Sequence, residues 1–166
     1  MQKFFILWVS LLVLVIGGCA PKHYEISKPK LIILKTPKLK FADTGYIRSS
    51  GESVEAELFT AGVAVEKISI DDQVCVSAGC MSEEAFVREY LSPEYPKDIL
   101  RRILLGEPIY NGQGTSEQCS GIRTQYIRSD KTDIVYRLKP DETYFKDRIN
   151  GLVVKISDIE ENNATE

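Results

Sequence analysis

The sequence predicts a mainly β domain with two short helices, an α+β chain built on an antiparallel meander. Apolar and polar residues alternate from Leu39 onward, which is typical of half-buried strands. The spacing changes to a helical stripe over residues 82–105, and alternation then returns. An Asn-Gly pair at residues 150–151 adds a strong hairpin signal. We therefore expect a single domain over residues 39–157.

The N-terminus has the layout of a secretory signal. Lys3 precedes an apolar run over residues 4–16, and two glycines then lead to Cys19. An aliphatic residue and two small residues before a cysteine resemble a bacterial lipobox. That resemblance implies a signal peptide over residues 1–18, cleavage before Cys19, and a Cys19 that carries diacylglycerol and an amide-linked acyl chain such as palmitate.

The apolar run is too short to span a bilayer, which needs about 20 apolar residues. Two or more acyl chains give stable anchoring, so we expect membrane attachment through the lipid on Cys19. Residue 20 is Ala rather than the Asp that retains lipoproteins in the inner membrane in the better-known sorting rule. This favours the outer membrane, with the domain facing the periplasm and cell-surface exposure as the alternative.

The overall charge argues against nucleic acid as a partner. The net charge is −3, and loss of Lys3 with the signal peptide makes it −4, whereas nucleic-acid binding requires a basic face.

Residues 19–38 are expected to form the lipid anchor and a basic tether, which contains three prolines and five lysines. Its short apolar run, Leu31 to Leu34, has two interpretations. It is either a first edge strand or part of a basic segment that lies against anionic head groups.

Strands and helices follow in a simple order. Four strands are predicted up to Val76, joined by tight turns. Ser82 is a suitable N-cap for a helix over residues 82–91, and a second helix is expected over residues 96–105, ended by Gly106. A polar loop over 111–121 precedes four more strands, at 122–127, 134–138, 143–145 and 152–156, and an acidic, frayed tail at 158–166.

Three cysteines remain besides Cys19, and an exported domain permits one disulfide among them. Cys75 and Cys80 are the favoured pair because Ser77, Ala78 and Gly79 between them allow a tight turn. Pairing of Cys119 with either of the other two is the alternative.

The sequence contains few residues suited to catalysis. The only His, His23, lies in the tether, and Cys-x4-Cys without a second ligand pair is not a zinc site. Asp71 and Asp72 lie in a predicted turn. We predict no enzyme activity, no catalytic residues, no metal and no cofactor.

The arrangement resembles the outer-membrane lipoprotein receptor LolB and its soluble partner LolA. Phe41 to Gly45 with Ile47, Val54 to Phe59 and Gly62 to Ile70 resemble the first strands of that family, and Tyr95 to Ile109 resemble its helix that ends in a Gly-x-Pro turn. The resemblance implies an incomplete barrel, a helical pair as its lid and an apolar cavity for acyl chains. An uncharacterised lipoprotein family of Campylobacter- or Helicobacter-type bacteria has the same appearance.

Two functions are consistent with these patterns. The first is an outer-membrane lipoprotein that binds acyl chains, with a place in lipoprotein localisation, and the alternative is a ligand-free structural or adaptor lipoprotein of the envelope. An apolar cavity would favour the first function, and a filled core with an exposed apolar patch would favour the second. The expected ligand-binding residues are Leu58, Val63, Val65, Ile68, Phe86, Tyr90, Leu100 and Ile103.

Overall fold

A computed structural model describes residues 28–118 and 120–159, and it confirms a mainly β chain with two short helices. Eleven strands form one antiparallel sheet, which is not closed into a barrel. Consecutive strands pair with each other except across the helices, and the first strand also pairs with the last. The strands are Pro29–Lys35 (β1), Lys40–Ser50 (β2), Ser53–Thr60 (β3), Val63–Ile70 (β4), Val74–Val76 (β5), Gly79–Met81 (β6), Thr115–Glu117 (β7), Arg123–Arg128 (β8), Asp133–Leu138 (β9), Glu142–Asp147 (β10) and Leu152–Asp158 (β11).

The prediction of a tether that extends to residue 38 is wrong over β1. This strand lies in the middle of the sheet, where Leu31 pairs with Thr44 on one side and with Ser157 on the other. Ile32 and Leu34 are buried, so the strand is neither an edge nor a basic surface segment. Its partner β11 lies more than 100 residues away in the chain, and local sequence patterns carry no information about that pairing.

Two helices lie between β6 and β7, close to their predicted positions. The first, α1 (Glu83–Phe86), continues as a π-helical turn over Val87–Leu91, and the Oγ of Ser82 accepts a hydrogen bond from the Ala85 N–H at its start. The second, α2 (Ile99–Leu105), begins three residues later than predicted and ends at Gly106, whose φ of 67° only glycine adopts freely. We call residues 82–112, which end in a short 3-10 turn, the helical segment.

The core lies between one face of the sheet and the helical segment. Alternate residues of the strands turn towards it, so that Ile32 is buried while its neighbour Leu31 is exposed. We call this the core face of the sheet, and the opposite side the outer face. The sheet contributes Ile32, Leu34, Val54, Ala56, Leu58, Ile68, Ile70, Ile134, Tyr136, Phe145, Leu152 and Val154 to the core.

Gly45 marks a place where the sheet is tightly packed. A Cβ atom there would lie 2.5 Å from the Cδ1 of Ile32 and 2.8 Å from the carbonyl oxygen of Glu57. Any larger residue would therefore push apart the middle strands of the sheet.

Two three-residue strands were not predicted. They are β6 and β7, the two edges of the sheet, and β7 lies in the stretch that we predicted as a polar loop. All three residues of β7 are exposed, so no apolar alternation identifies it as a strand.

Candidate functional site

The predicted lipidation site and signal peptide lie outside the described residues, so Cys19 and residues 1–18 remain predictions. Within residues 28–118 and 120–159, no helix has the length and apolar character needed to cross a membrane.

Five of the eight predicted ligand-binding residues are buried together in the core. Leu58 and Ile68 come from neighbouring strands β3 and β4, and Phe86, Leu100 and Ile103 come from the helical segment, each at most 4% exposed. Their side chains thus pack against one another across the interface between the sheet and the helices.

The other three residues lie elsewhere. Val63 and Val65, at the start of β4, are 66% and 50% exposed. Tyr90 lies at the margin of the core, where its ring stacks on that of Phe86 at 4.6 Å and the Nζ of Lys38 lies 5.1 Å from the ring centre. Alternation located all of these residues on strands or a helix, but it does not say which strand ends the helical segment covers.

Arg101 joins the two helices to the turns of the sheet. Its Nη2 lies 2.5 Å from Oε1 of Glu83 at the start of α1 and donates to the carbonyl oxygen of Asp71 at 2.6 Å. Its Nη1 donates to the carbonyl oxygen of Glu52. One guanidinium therefore holds α2, α1 and two strand turns together. We call this group the Arg101 clasp.

A charged cleft of about 450 Å³ lies beside the Arg101 clasp. Arg101 and Arg102 line it together with carboxylates that include Asp72 and Asp98. Arg102 bonds Asp98 at 2.5 Å, and this contact raises the pKa of the guanidinium. Both arginines that line the cleft are therefore already paired with carboxylates of the protein itself.

Tyr95 attaches the chain between the two helices to the sheet. Its hydroxyl donates to Oδ2 of Asp147 at 2.7 Å, and both residues are buried. Burial, followed by the hydrogen bond to the carboxylate, raises the pKa of Tyr95 far above its usual value. Burial alone would raise the pKa of Asp147. Hydrogen bonds from the Asn150 and Tyr95 side chains and from backbone N–H groups outweigh that effect and lower it.

Gln125 provides a third attachment, at the end of the helical segment. Its buried side chain accepts from the Ile109 N–H at 2.9 Å and donates to the Ile109 carbonyl oxygen at 2.9 Å. An amide that satisfies both backbone groups of a fully buried residue replaces a strand partner. The helical segment is therefore bonded to the sheet at Gln125, at Asp147 and through the Arg101 clasp.

Cys75 and Cys80 form a disulfide across the β5–β6 hairpin, which is the pair favoured by the sequence. The N–H and hydroxyl of Ser77 both donate to Oε1 of Glu66 on β4, at 2.9 and 2.7 Å. These bonds hold the hairpin against the sheet immediately before the helical segment begins. Cys119 lies outside the described residues.

An apolar patch on the outer face was not predicted. Leu31 is 41% exposed, and Tyr46, two residues beyond its partner Thr44, packs edge-on against Phe59 with ring centres 5.6 Å apart. Phe59 pairs with Ala64, next to Val65. The usable signal was the uncharged stretch over residues 59–65, which is long for the end of a hairpin.

No group of three or more His, Cys, Asp and Glu residues in the described part of the chain could hold a metal ion.

Comparison of the sequence with protein-family models and with curated proteins finds no match. The resemblance to the lipoprotein receptor family therefore stays a prediction.

Proposed function

We propose that this protein is a lipid-anchored lipoprotein of the outer membrane that acts through its surfaces, as a structural or adaptor domain of the cell envelope. The observation that supports this proposal most strongly is that the protein's own helical segment fills the core face of the sheet. Five residues expected to line an acyl-chain cavity are instead packed into a continuous core. A binding site for an acyl chain would require apolar space at that place.

The attachments of the helical segment support the same proposal. The Arg101 clasp, the Tyr95–Asp147 bond and the Gln125–Ile109 pair hold it at three separate places. The Tyr95 and Gln125 bonds are buried and the bond from Arg101 to Glu83 is partly buried, so breaking any of them leaves polar groups unsatisfied. A segment held in this way serves as a permanent layer of the fold.

The sheet also fits an incomplete barrel, with the helical segment as its lid. The two edge strands β6 and β7 do not pair, and the helical segment crosses between them while α2 contacts both β3 and β10. This geometry favours a second candidate function, in which the lid lifts and the core face accepts an acyl chain from a lipoprotein. That function requires the three attachments to break together.

Native mass spectrometry of the exported chain from residue 20 onward separates the two candidates. The surface-acting lipoprotein is expected to have the mass of the protein alone, whether it is purified from cells or incubated with palmitate. A bound lipid or fatty acid that survives purification would reject this proposal in favour of the acyl-chain carrier.

The anchor is tested separately by the Cys19→Ala substitution. We expect an unprocessed precursor that takes up no radioactive fatty acid, because the substitution removes the thiol that carries the lipid. A Cys119→Ser variant is the matched control and is expected to be labelled like the wild type. Labelling that persists in Cys19→Ala would contradict the anchoring.

A further inference from the structure

We infer that the outer-face patch is a second membrane contact, which lays the domain sideways on the leaflet that holds the lipid of Cys19. The patch consists of Leu31, Tyr46, Phe59, Ala64, Val65 and Ile159. The inference rests on the proposed anchor at Cys19 and adds an orientation and a lipid-contacting surface to it.

The patch is continuous across neighbouring strands. Leu31 on β1 pairs with Thr44 on β2, Tyr46 on β2 packs against Phe59 on β3, and Phe59 pairs with Ala64 on β4. Leu31 alternates with buried Ile32, and Phe59 alternates with buried Leu58, so both side chains point away from the core. Ile159, 44% exposed, directly follows the Asp158 that pairs with Lys30.

The β3–β4 hairpin gives the patch an exposed, ordered tip. Ala61 and Gly62 both have positive φ values, of 50° and 80°, as a two-residue hairpin turn requires. The carboxylate of Asp43 accepts from the Ala61 N–H at 3.3 Å and from the Thr44 N–H at 2.7 Å. The turn is thereby fixed, and Val65, three residues after Gly62, is 50% exposed.

Charges next to the patch suit an anionic lipid surface. Arg48 bonds both Glu55 and Glu57 on the outer face, at 3.0 and 2.9 Å, and Lys67 bonds Glu55 at 2.8 Å. These cations compensate the carboxylates that would otherwise repel anionic head groups. Exposed Lys28 lies three residues before Leu31, where it can contact phosphate groups.

The short tether favours the membrane as the surface that covers the patch. Eight residues separate Cys19 from Lys28, so even a fully extended chain places Lys28 within about 30 Å of the anchor. A short flexible linker gives an effective concentration of about millimolar for a second contact. A small apolar patch that would bind vesicles weakly on its own is therefore held against the bilayer.

Tryptophan placement tests this contact on the full acylated protein. The only Trp of the chain, Trp8, belongs to the predicted signal peptide, so an introduced Trp reports alone after cleavage. Val65→Trp places the probe in the patch. Tyr126→Trp is the matched control. Tyr126 is 53% exposed, but it lies on β8, next to the edge strand β7 and several strands away from the patch. Both proteins are reconstituted into phosphatidylethanolamine–phosphatidylglycerol vesicles, with and without bromine on the acyl chains.

We expect brominated lipid to quench the emission of Val65→Trp at least about twofold and to leave Tyr126→Trp nearly unchanged. Equal quenching of the two probes, or none, would overturn the membrane contact. A blue shift of Val65→Trp that depends on protein concentration and needs no lipid would also overturn it, because a second copy would then cover the patch.

Flotation of the same vesicles separates this inference from the proposed function. If the protein floats with the vesicles but Val65→Trp is not quenched, the anchor stands and the second contact fails. If the protein does not float and its tryptophan is not quenched, the lipid anchor and the second membrane contact are both wrong. A Val65→Asp variant, changed only at an exposed position, is expected to keep the fold and to float with the vesicles through its lipid. We expect it to lose the protection of the hairpin tip from a soluble protease.

Discussion

The hydroxyl of Tyr95 lies 2.7 Å from the carboxylate of Asp147, 52 residues away in the chain, and both side chains are buried. Asp147 also accepts hydrogen bonds from Asn150 and from the backbone N–H groups of Asp133 and Ile149. The pair thus connects the chain between the helices to the β10–β11 turn. The change in the free energy of unfolding when this hydrogen bond is removed therefore measures how firmly the helical segment is held.

Tyr95→Phe is expected to lower the free energy of unfolding by about 1.5–3 kcal/mol, the usual effect of losing a hydrogen bond to a charged group. Urea denaturation measures this loss. Tyr126→Phe serves as the control. Tyr126 is exposed, so the loss of its hydroxyl should hardly change the free energy of unfolding. Equal stability of the two variants would show that the Tyr95 bond does not hold the segment.

Stability should fall at low pH partly through Asp147. Its folded-state pKa is lowered, so it contributes stability above the unfolded value of about 3.9 and loses that contribution as pH falls through the lower, folded value. Between about pH 5 and pH 2, the unfolding free energy of Asp147→Asn should therefore depend less steeply on pH than that of the wild type, by up to one proton. The pKa values of Asp43, Glu66, Asp133 and Glu142 are also lowered, and their contribution remains in both proteins. Identical slopes would contradict this role of Asp147.

Arg101→Ala should loosen the start of the helical segment, because it removes the bonds to Glu83 and to two turn carbonyl oxygens. We expect a loss of about 2 kcal/mol and faster amide exchange over residues 83–91. The neighbouring Arg102→Ala is the control, since Arg102 bonds mainly within its own helix and the turn that follows. Unchanged exchange in Arg101→Ala would mean that the core contacts alone hold α1.

The disulfide predicts a specific thiol count in exported protein. With Cys75 joined to Cys80, Cys119→Ser should contain no free thiol after acylation of Cys19. Cys75→Ser should contain two, at Cys80 and Cys119. Mass spectrometry after alkylation counts them, and a Cys75→Ser protein without free thiols would indicate that Cys119 had been a bridge partner.

Local sequence signals were sufficient for much of the fold. The hairpin at Gly151 and the helix start at Ser82 follow from turn and capping chemistry that acts within a few residues. The pairing of Leu31 with Ser157 could not be predicted, because alternation identifies a strand without identifying its neighbours.

The candidate site was harder to predict, for a related reason. The alternating run places Val65 in the predicted ligand-binding set. The pairing register shifts between Leu58 and Phe59, and the helical segment does not cover this end of β4. The contact between Tyr95 and Asp147 depends on the whole topology, so no local pattern indicates it.

Leu100 on α2, 4% exposed in the core, provides the most direct test of the claim that the helical segment fills the core face. In a filled core, Leu100→Ala should lower the unfolding free energy by about 2–5 kcal/mol, and Leu100→Phe should lower it by about 1–3 kcal/mol through overpacking. Urea denaturation of the two variants beside the wild type measures both values. If Leu100→Ala were nearly neutral and Leu100→Phe were accepted without loss, the core face would contain open space, and the surface-acting lipoprotein would give way to an acyl-chain carrier.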